Sequence, residues 1–291
     1  MIKLKIRMRR ILLGFWLIFA VLFASYGQAE KLGKVRSSAI TEISGISSYS
    51  YKKGYFWVHN DSGDKAQVYL IDSLASVKGV VKLKGVNALD CEDISKFVLN
   101  GKAYLLLADI GNNLRNREVL TIYMFPEPEL EVGHGVVNLE VADIIKIPFK
   151  YADKKRDAEA IFVDQEDEKL YIVSKRDFHS TVFSLPLNTI QDESKVHVLE
   201  PLLLLPFTFV TGADMRVDGS HIVIKNLTNV YLWERSAGTS VINTLSQPYE
   251  SIPYIIEPQG EAICFDPNER YFYTISERPL GLDSYLYRYK F

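Results

Sequence analysis

Three glutamates occupy equivalent places in a repeated pattern of strand starts. The five starts read SGIS, CEDIS, AEAIF, GADMR and GEAIC, and aligning them without gaps gives one column: Ser44, Glu92, Glu159, Ala213 and Glu261. Carboxylates that converge in an enclosed space repel one another unless protons, cations or a bound metal compensate them. Donor sets made only of oxygen atoms suit Ca²⁺, and the scarcity of His and Cys in these columns argues against zinc and copper.

A second set of polar residues lies at the ends of the strands that follow these starts. Aligned on their leading aromatic residue, the ends are Asn60, Asp109, Arg176, Asn226 and Glu277. The start of one strand and the end of its antiparallel neighbour share one edge of a sheet. Both sets should therefore meet on one rim, and the predicted ligands of a Ca²⁺ ion are Glu92, Glu159, Glu261, Asn60, Asp109 and Asn226.

The residues that directly follow the glutamate column belong to a different surface. The glutamates would line a central polar space, here called the funnel. Successive side chains along a strand point to opposite faces, so Asp93 and Asp214 cannot line the funnel as well. We expect these two aspartates to cap turns or to make hydrogen bonds between neighbouring sheets.

Three residues near the proposed rim are candidates for catalysis. His59 could act as a general base beside Asp61, and Arg176 could hold an anionic substrate group. A competing interpretation needs no metal, because the cations Lys175, Arg176, Lys225 and Arg278 could neutralise the carboxylates in an ion-pair network. The sequence leaves both interpretations open.

The elements that must position these residues repeat along the chain. Successive starts are separated by 48, 67, 54 and 48 residues, which is close to the period of propeller blades. The sequence therefore predicts an all-β fold, a single β-propeller of five four-stranded blades. A sixth blade would have to be an irregular one within residues 125–157.

Outer strands and a closing strand complete the predicted ring. The segments 77–85, 139–149, 196–207 and 239–245 should supply the outer strands of the first four blades. The fifth blade lacks such a segment because the chain ends at Phe291. We expect Lys34–Ile43 to pair with that blade and close the ring, which removes exposed strand edges.

The N-terminus and the composition indicate where the protein works. Basic residues precede an apolar run from Ile11 to about Ala24, and Gly27 and Ala29 follow at the spacing of a cleavage site. This pattern predicts a signal peptide over residues 1–29 and a propeller domain over 30–291 in the periplasm or outside the cell, with an uncleaved anchor as the alternative. A net charge of −2 without a basic stripe argues against nucleic-acid binding. We expect a monomer that is free of the membrane after cleavage and holds a small-molecule or protein ligand at the funnel.

Eight short motifs carry a resemblance to known proteins. They read SGIS, HNDSG, EDIS, ADIGNN, IYMFPEP, AEAIF, VTGAD and GEAI, and they span nearly all of the chain after the signal peptide. In these motifs the chain resembles a group of exported bacterial β-propellers that has no agreed biochemical activity. More distantly, its layout is similar to that of calcium-dependent propeller hydrolases, namely gluconolactonase-like and paraoxonase-like lactonases and propeller phytases.

This more distant resemblance implies a function. A central calcium ion would polarise an ester or phosphoester oxygen, and the six predicted ligands named above would hold the ion. Arg176 and Ala213 depart from that pattern, because they stand where such propellers tend to place a ligand. The leading hypothesis is a Ca²⁺-dependent hydrolase of a lactone, ester or phosphoester, and the alternative is a non-catalytic propeller that binds a ligand or protein.

Overall fold

A computed structural model describes residues 29–133, 135–187 and 195–291. Most of the predicted signal peptide (residues 1–28) lies outside this part. Within the described ranges, no helix combines the length and the apolar composition that crossing a membrane requires.

The described residues form 22 strands, numbered β1 to β22 in chain order, arranged in five sheets. β1 (Glu30–Lys34) belongs to the last sheet. The first blade contains β2 (Ile43–Ser48), β3 (Tyr55–Asn60), β4 (Gln67–Asp72) and β5 (Val77–Leu83). The second contains β6 (Cys91–Leu99), β7 (Lys102–Asp109), β8 (Leu120–Pro126) and β10 (Ile145–Tyr151).

The remaining three blades repeat the same antiparallel order. The third contains β11 (Ala158–Asp164), β12 (Lys169–Ser174), β13 (Thr181–Pro186) and β15 (Leu203–Leu204). The fourth contains β16 (Val210–Met215), β17 (His221–Asn226), β18 (Val230–Glu234) and β19 (Glu250–Ile252). The fifth contains β20 (Gly260–Phe265), β21 (Tyr271–Ser276) and β22 (Tyr285–Lys290). The five-bladed propeller predicted from the repeat is thus confirmed.

The N-terminal strand closes the ring, as predicted, but it lies earlier in the chain than expected. β1 pairs antiparallel with β22, with Lys34 opposite Tyr285 and Glu30 opposite Arg288. The prediction of Lys34–Ile43 is therefore wrong except at its first residue. The edge of β22 is already covered by β1, and the following segment crosses the rim, where Thr41 accepts a hydrogen bond from the backbone N–H of Arg278.

Two predicted outer segments each divide between two blades. The segment 139–149 contains the end of β9 (Val137–Val141), which pairs parallel with β5 as a fifth strand of the first blade. The same segment also contains the beginning of β10. Likewise, β14 (His197–Leu199) pairs parallel with β10, whereas β15 is the outer strand of the third blade. The extra strand β9 accounts for the long interval, residues 125–157, in which the sequence left room for a sixth blade.

The segment 239–245 was predicted to be a strand but forms a short helix, α1 (Val241–Leu245). Ser240 caps the helix, because its side chain accepts a hydrogen bond from the backbone N–H of Asn243. The buried residues are Val241, Thr244 and Leu245, and this spacing matches one face of a helix. β19 takes the outer position of the fourth blade instead.

Five apolar clusters fill the five interfaces between neighbouring blades. Trp57 and Trp233 are among the largest fully buried side chains. Since both faces of a blade are covered only by adjacent blades, no blade can bury its core alone. The ring must therefore close before the individual sheets are stable.

We predict that removing β1 weakens the whole ring. A chain that starts at Val35 should unfold at a temperature several degrees lower than a chain that starts at Glu30, because the edge of β22 loses its partner. Calorimetry of the two chains measures the difference. Equal melting temperatures and equal cooperativity would show that β1 does not close the ring.

Candidate functional site

A β-bulge interrupts the pairing of the innermost strand at the same place in every blade. The pairing register shifts between Cys91 and Asp93 in the second blade and between Ala158 and Ala160 in the third. The other three blades show the same shift. A bulge leaves one extra residue unpaired and redirects its side chain. The five bulge residues are Ser44, Glu92, Glu159, Thr211 and Glu261.

In four of the five blades, the bulge residue is therefore the one that the sequence alignment placed in the glutamate column. In the fourth blade the column contains Thr211, so the predicted Ala213 is wrong by two residues. Thr211 and Ser44 both donate hydrogen bonds to the next blade, Thr211 to the Gly260 carbonyl (3.2 Å) and Ser44 to the Glu92 carbonyl (2.8 Å). Small hydroxyl residues thus join neighbouring blades where no glutamate is present.

The bulges bring carboxylates together where the five inner strands pack side by side. One group of three consists of Asp61, Asp90 and Glu92, and a second consists of Glu92, Asp157 and Glu159. In each group, the potential ligand atoms all lie within 4.8 Å of one another. Asp61 and Asp90 are half-buried, whereas the second group is fully buried. The outer group, Asp61, Asp90 and Glu92, therefore forms the exposed end of the cluster.

The sequence interpretation missed Asp90 and Asp157, although the sequence carries a signal for them. Each stands two residues before a bulge glutamate, so the pattern Asp-x-Glu occurs at Asp90–Glu92 and again at Asp157–Glu159. Residues two apart share one side of an extended chain. Asp157 is held in place because it accepts a hydrogen bond from the backbone N–H of Asn112 (2.8 Å).

Lys175 is the cation of the inner half of the cluster. Its ammonium group forms ion pairs with Glu159 and with Glu261, the latter at 3.3 Å. All three side chains are buried. Arg176 pairs instead with Asp157 (2.7 Å), and its side chain is 42% exposed. Part of the predicted ion-pair network therefore exists, and it covers the inner carboxylates.

The other two predicted counter-ions lie elsewhere. Lys225 is fully buried, donates to the Gly260 carbonyl and lies over the ring of Tyr254. Arg278 donates to the Ser37 carbonyl (3.4 Å). Within the described ranges, no ion pair joins either cation to a carboxylate, and none involves the outer group.

Burial and mutual repulsion favour the protonated forms of these carboxyl groups. Burial raises the pKa of Glu92 well above its ordinary value, and repulsion from Glu159 adds to the shift. Burial raises the pKa of Asp61 to about 7 and that of Glu159 to about 8. Burial, with the proximity of Glu261, raises the pKa of Glu277 to about 9. The cluster therefore holds protons at neutral pH unless a cation replaces them.

Gly111 leaves the space that the outer carboxylates occupy. A Cβ atom built on this residue would lie 2.2 Å from Glu92 Oε1 and 2.3 Å from Asp90 Oδ2. Its backbone N–H also donates to the Asp90 carbonyl (3.1 Å). The backbone after β7 thus contacts the carboxylates directly, and a larger residue at this position would displace both of them.

Three of the six predicted metal ligands are not brought to the glutamates. Asn60 bonds to Ala39, Glu42 and Asp64. Asp109 accepts hydrogen bonds from the backbone N–H groups of Leu89 and Asp90 and pairs with Arg117. Asn226 donates to the Thr208 carbonyl and accepts from Thr228 and Asn229. These strand ends fix neighbouring loops, so the structure gathers only Glu92, Glu159 and Glu261 of the six.

The predicted catalytic residues are spread over the same rim. The imidazole of His59 is buried, its Nδ1 lies 2.9 Å from the Asn60 carbonyl, and its Nε2 has no hydrogen-bond partner among the described residues. Burial lowers the pKa of His59 to about 4. No hydrogen bond within the described ranges links His59 to Asp61. A general-base role for His59 stays a prediction, and Asp61 is the member of this pair that lies in the carboxylate cluster.

Asp93 and Asp214 have the role expected of them between blades. Asp93 accepts hydrogen bonds from its neighbour Ile94 and from Ile161 of the next blade, both at 2.8 Å. Asp214 does the same with Met215 (2.8 Å) and with Phe265 of the next blade (2.7 Å). The carboxyl groups of buried Asp93 and half-buried Asp214 connect adjacent inner strands.

Comparison with solved structures shows a protein of similar architecture. A luciferin-regenerating enzyme superposes with a TM-score of 0.50 over 91% of this chain and 95% of its own, at 11% sequence identity. Neither a protein-family model nor a curated protein sequence matches the chain. At this identity the likeness establishes the propeller fold alone.

We predict an unusual dependence of stability on pH in the absence of metal. Because the pKa values of Asp61, Glu159 and Glu277 are raised, the folded chain binds more protons than the unfolded chain between pH 6.5 and 8. The free energy of unfolding should therefore fall as pH rises through this range, by about 1.4 kcal/mol per pH unit for each proton. Urea titrations in EDTA measure this slope.

Groups outside the cluster also titrate in this range. Burial raises the pKa of Asp214 to about 7 and lowers that of Lys225 to about 8, and His59, neutral in the folded state, is partly protonated in the unfolded state near pH 6.5. The contribution of the cluster is therefore measured as the difference between the parent chain and Glu159→Gln, which should show a smaller slope. Equal slopes in the two chains would contradict the protonated cluster.

Proposed function

We propose that the chain is a Ca²⁺-dependent hydrolase of a lactone, ester or phosphoester. Its active site would lie at the clustered carboxylates of the ring centre, here called the axial carboxylates: Asp61, Asp90, Glu92, Asp157, Glu159 and Glu261. One observation carries the proposal: Asp61, Asp90 and Glu92 present ligand atoms within 4.8 Å of one another at the exposed end of the cluster. Such a set is expensive to keep ionised and matches the oxygen ligands that Ca²⁺ prefers. The likeness to an enzyme with the same fold is consistent with this proposal.

The metal and the ion-pair network can exist side by side. Lys175 compensates Glu159 and Glu261, whereas the outer group has no such partner within the described residues. We therefore assign the cation to Asp61, Asp90 and Glu92. The inner network would hold Glu159 and Glu261 in place behind the metal site.

The residues around the site suit hydrolysis. A bound Ca²⁺ ion would polarise the scissile oxygen and lower the pKa of a bound water. His59, whose Nε2 has no hydrogen-bond partner among the described residues, or one of the glutamates would accept the proton of that water. The guanidinium of Arg176 is partly exposed and already oriented by Asp157, and it would bind an oxygen on which negative charge develops.

We predict that Ca²⁺ stabilises the protein and that the outer carboxylates are responsible. A free Ca²⁺ concentration of 100 times Kd should raise the melting temperature by roughly 5–10 °C relative to EDTA. Glu92→Gln should abolish this shift, since it removes a ligand while keeping the shape of the side chain. Glu140→Gln, on the exposed strand β9, is the matched control and should shift like the parent chain. An identical response of the two variants would contradict the assignment.

A second variant tests the shape of the site instead of its charge. Gly111→Ala should weaken Ca²⁺ binding by at least about tenfold, because the new methyl group collides with Glu92 and Asp90. Gly133→Ala is the control, because nothing lies within 4 Å of a Cβ atom at that position. Calorimetric titration with Ca²⁺ compares the affinities of the two variants. Equal affinities would place the cation away from Gly111.

Catalysis is separated from simple binding by a panel of lactones, carboxylic esters and phosphoesters. We expect hydrolysis that requires Ca²⁺ and disappears in Glu92→Gln. Ca²⁺ binding without hydrolysis of any substrate class would instead favour the second candidate, a binding propeller in which the ion has a structural role.

A further inference from the structure

A cavity of about 450 Å³ lies on the same rim as the axial carboxylates. Its walls are the connection from β7 to β8 with Leu120 at the start of β8, the segment 150–155 at and after the end of β10, and Val198 of β14. The parallel strand β14 forms the outer wall because Val198 pairs with Lys150 and because the N–H of Ala152 donates to Leu199. A cavity of this size is typical of sites for small molecules.

The inner end of the cavity adjoins the axial cluster. Asn112 lines the cavity, and its backbone N–H donates to Asp157 Oδ1 (2.8 Å). Arg117 also lines it and donates to the carbonyl of Gly111 (2.8 Å), the residue that contacts Glu92 and Asp90. From β7 to β14 there are three strand spacings, or roughly 14 Å. The cavity therefore lies between the β7–β8 connection, which contacts the axial carboxylates, and the outer strand of the second blade.

The lining carries an excess of positive charge. Four basic and two acidic side chains contribute to it: Arg117, Lys150, Lys154, Lys155, Glu118 and Asp153.

Most of these charges already have partners within the described part of the chain. Arg117 pairs with Asp109 (2.8 Å), Lys154 with Asp177 (3.1 Å) and Lys155 with Glu118 (3.3 Å). Asp153 pairs with Arg156. Lys150 takes part in none of the ion pairs between described residues, and it is half-buried in the wall. One positive charge in the cavity is therefore left without a counter-ion.

The guanidinium of Arg117 is also rigidly placed. It donates to the carbonyls of Gly111 and Asp109 and to the Asp109 carboxylate. The side-chain amide of Asn112 closes the same loop, because it bonds to both the N–H and the carbonyl of Arg117. A preorganised cavity with surplus positive charge favours an anionic ligand, since little order is lost on binding.

We infer that this radial cavity binds an anionic group of the substrate, a phosphate or a carboxylate, while the bond to be broken lies at the axial carboxylates. Only the position of the bond to be broken rests on the proposed function; the binding of the anionic group does not. It narrows the substrate class to lactones, esters or phosphoesters that carry a separate anionic group. The charged segment 150–156 then contributes to a binding site.

Anion binding can be tested without any metal. The probes are inorganic phosphate and succinate, titrated calorimetrically in EDTA at low ionic strength, where charge interactions are least screened. We expect millimolar or tighter binding of at least one probe, and the stronger of the two identifies the anionic group. The double variant Lys150→Gln/Lys154→Gln should weaken it about tenfold. Asp177 keeps Arg156 as a partner in this variant, so no buried carboxylate is left without a cation.

The control removes the same charge from residues that do not line the cavity. Lys82→Gln/Lys146→Gln changes exposed residues on β5 and β10 and should leave anion binding unchanged. Equal weakening in both double variants, or no binding of either probe, would overturn the inference. Binding that occurs only with Ca²⁺ would locate the anion at the metal and would also overturn it. Because the assay contains EDTA, a failure of the Ca²⁺-dependent hydrolase proposal leaves this result interpretable.

Discussion

The five β-bulges of the innermost strands are the constraint on which the site depends. Each adds one residue to the start of a strand where its blade meets its neighbours, and the extra side chain is buried. Where that residue is Ser44 or Thr211, its hydroxyl bonds to the next blade. Where it is a glutamate, the same geometry delivers a carboxylate to the cluster. One backbone device therefore joins the blades and assembles the charged centre.

The burial of so many carboxyl groups sets a conflict between stability and function. Isolated buried charges are costly, and the chain relieves this cost in different ways at the two ends of the cluster. Lys175 serves the inner end, and protons serve the groups with raised pKa such as Glu92 and Asp61. Among the described residues, no ion pair compensates the outer end when its carboxyl groups lose their protons. Sites that are destabilising in the absence of ligand are often functional ones, and this end is also the one open to solvent.

The sequence predicted the ring because its repeat is periodic and each unit ends in turn residues. It also identified Glu92, Glu159 and Glu261, since alignment on a following apolar residue preserves the register in those three blades. It misplaced the fourth column by two residues, because Thr211 lacks the acidic signature and GADMR offered a false match. Asn60, Asp109 and Asn226 share the rim with the glutamates, but which loop a strand-end side chain bonds to depends on contacts between segments far apart in the chain. The helix at Val241–Leu245 was missed because three of its five residues are β-branched, which favours a strand. The signal for a helix is Ser240, which caps its N-terminus.

The ring is regular in its backbone but not in its chemistry. The second blade supplies Asp90, Glu92 and Gly111, and its fifth strand also walls the radial cavity. The fourth blade supplies a hydroxyl at its bulge and the buried cation Lys225. Carboxylates of the other four blades surround the axis, and the cavity with surplus positive charge lies beside those of the second blade. A ligand that spans the carboxylates and the cavity would need two groups. Its reactive group would contact the carboxylates through a bound cation, and its anionic group would contact the lysines of the cavity directly. Such an arrangement orients a ligand, because the reversed pose would place its anionic group beside the carboxylates.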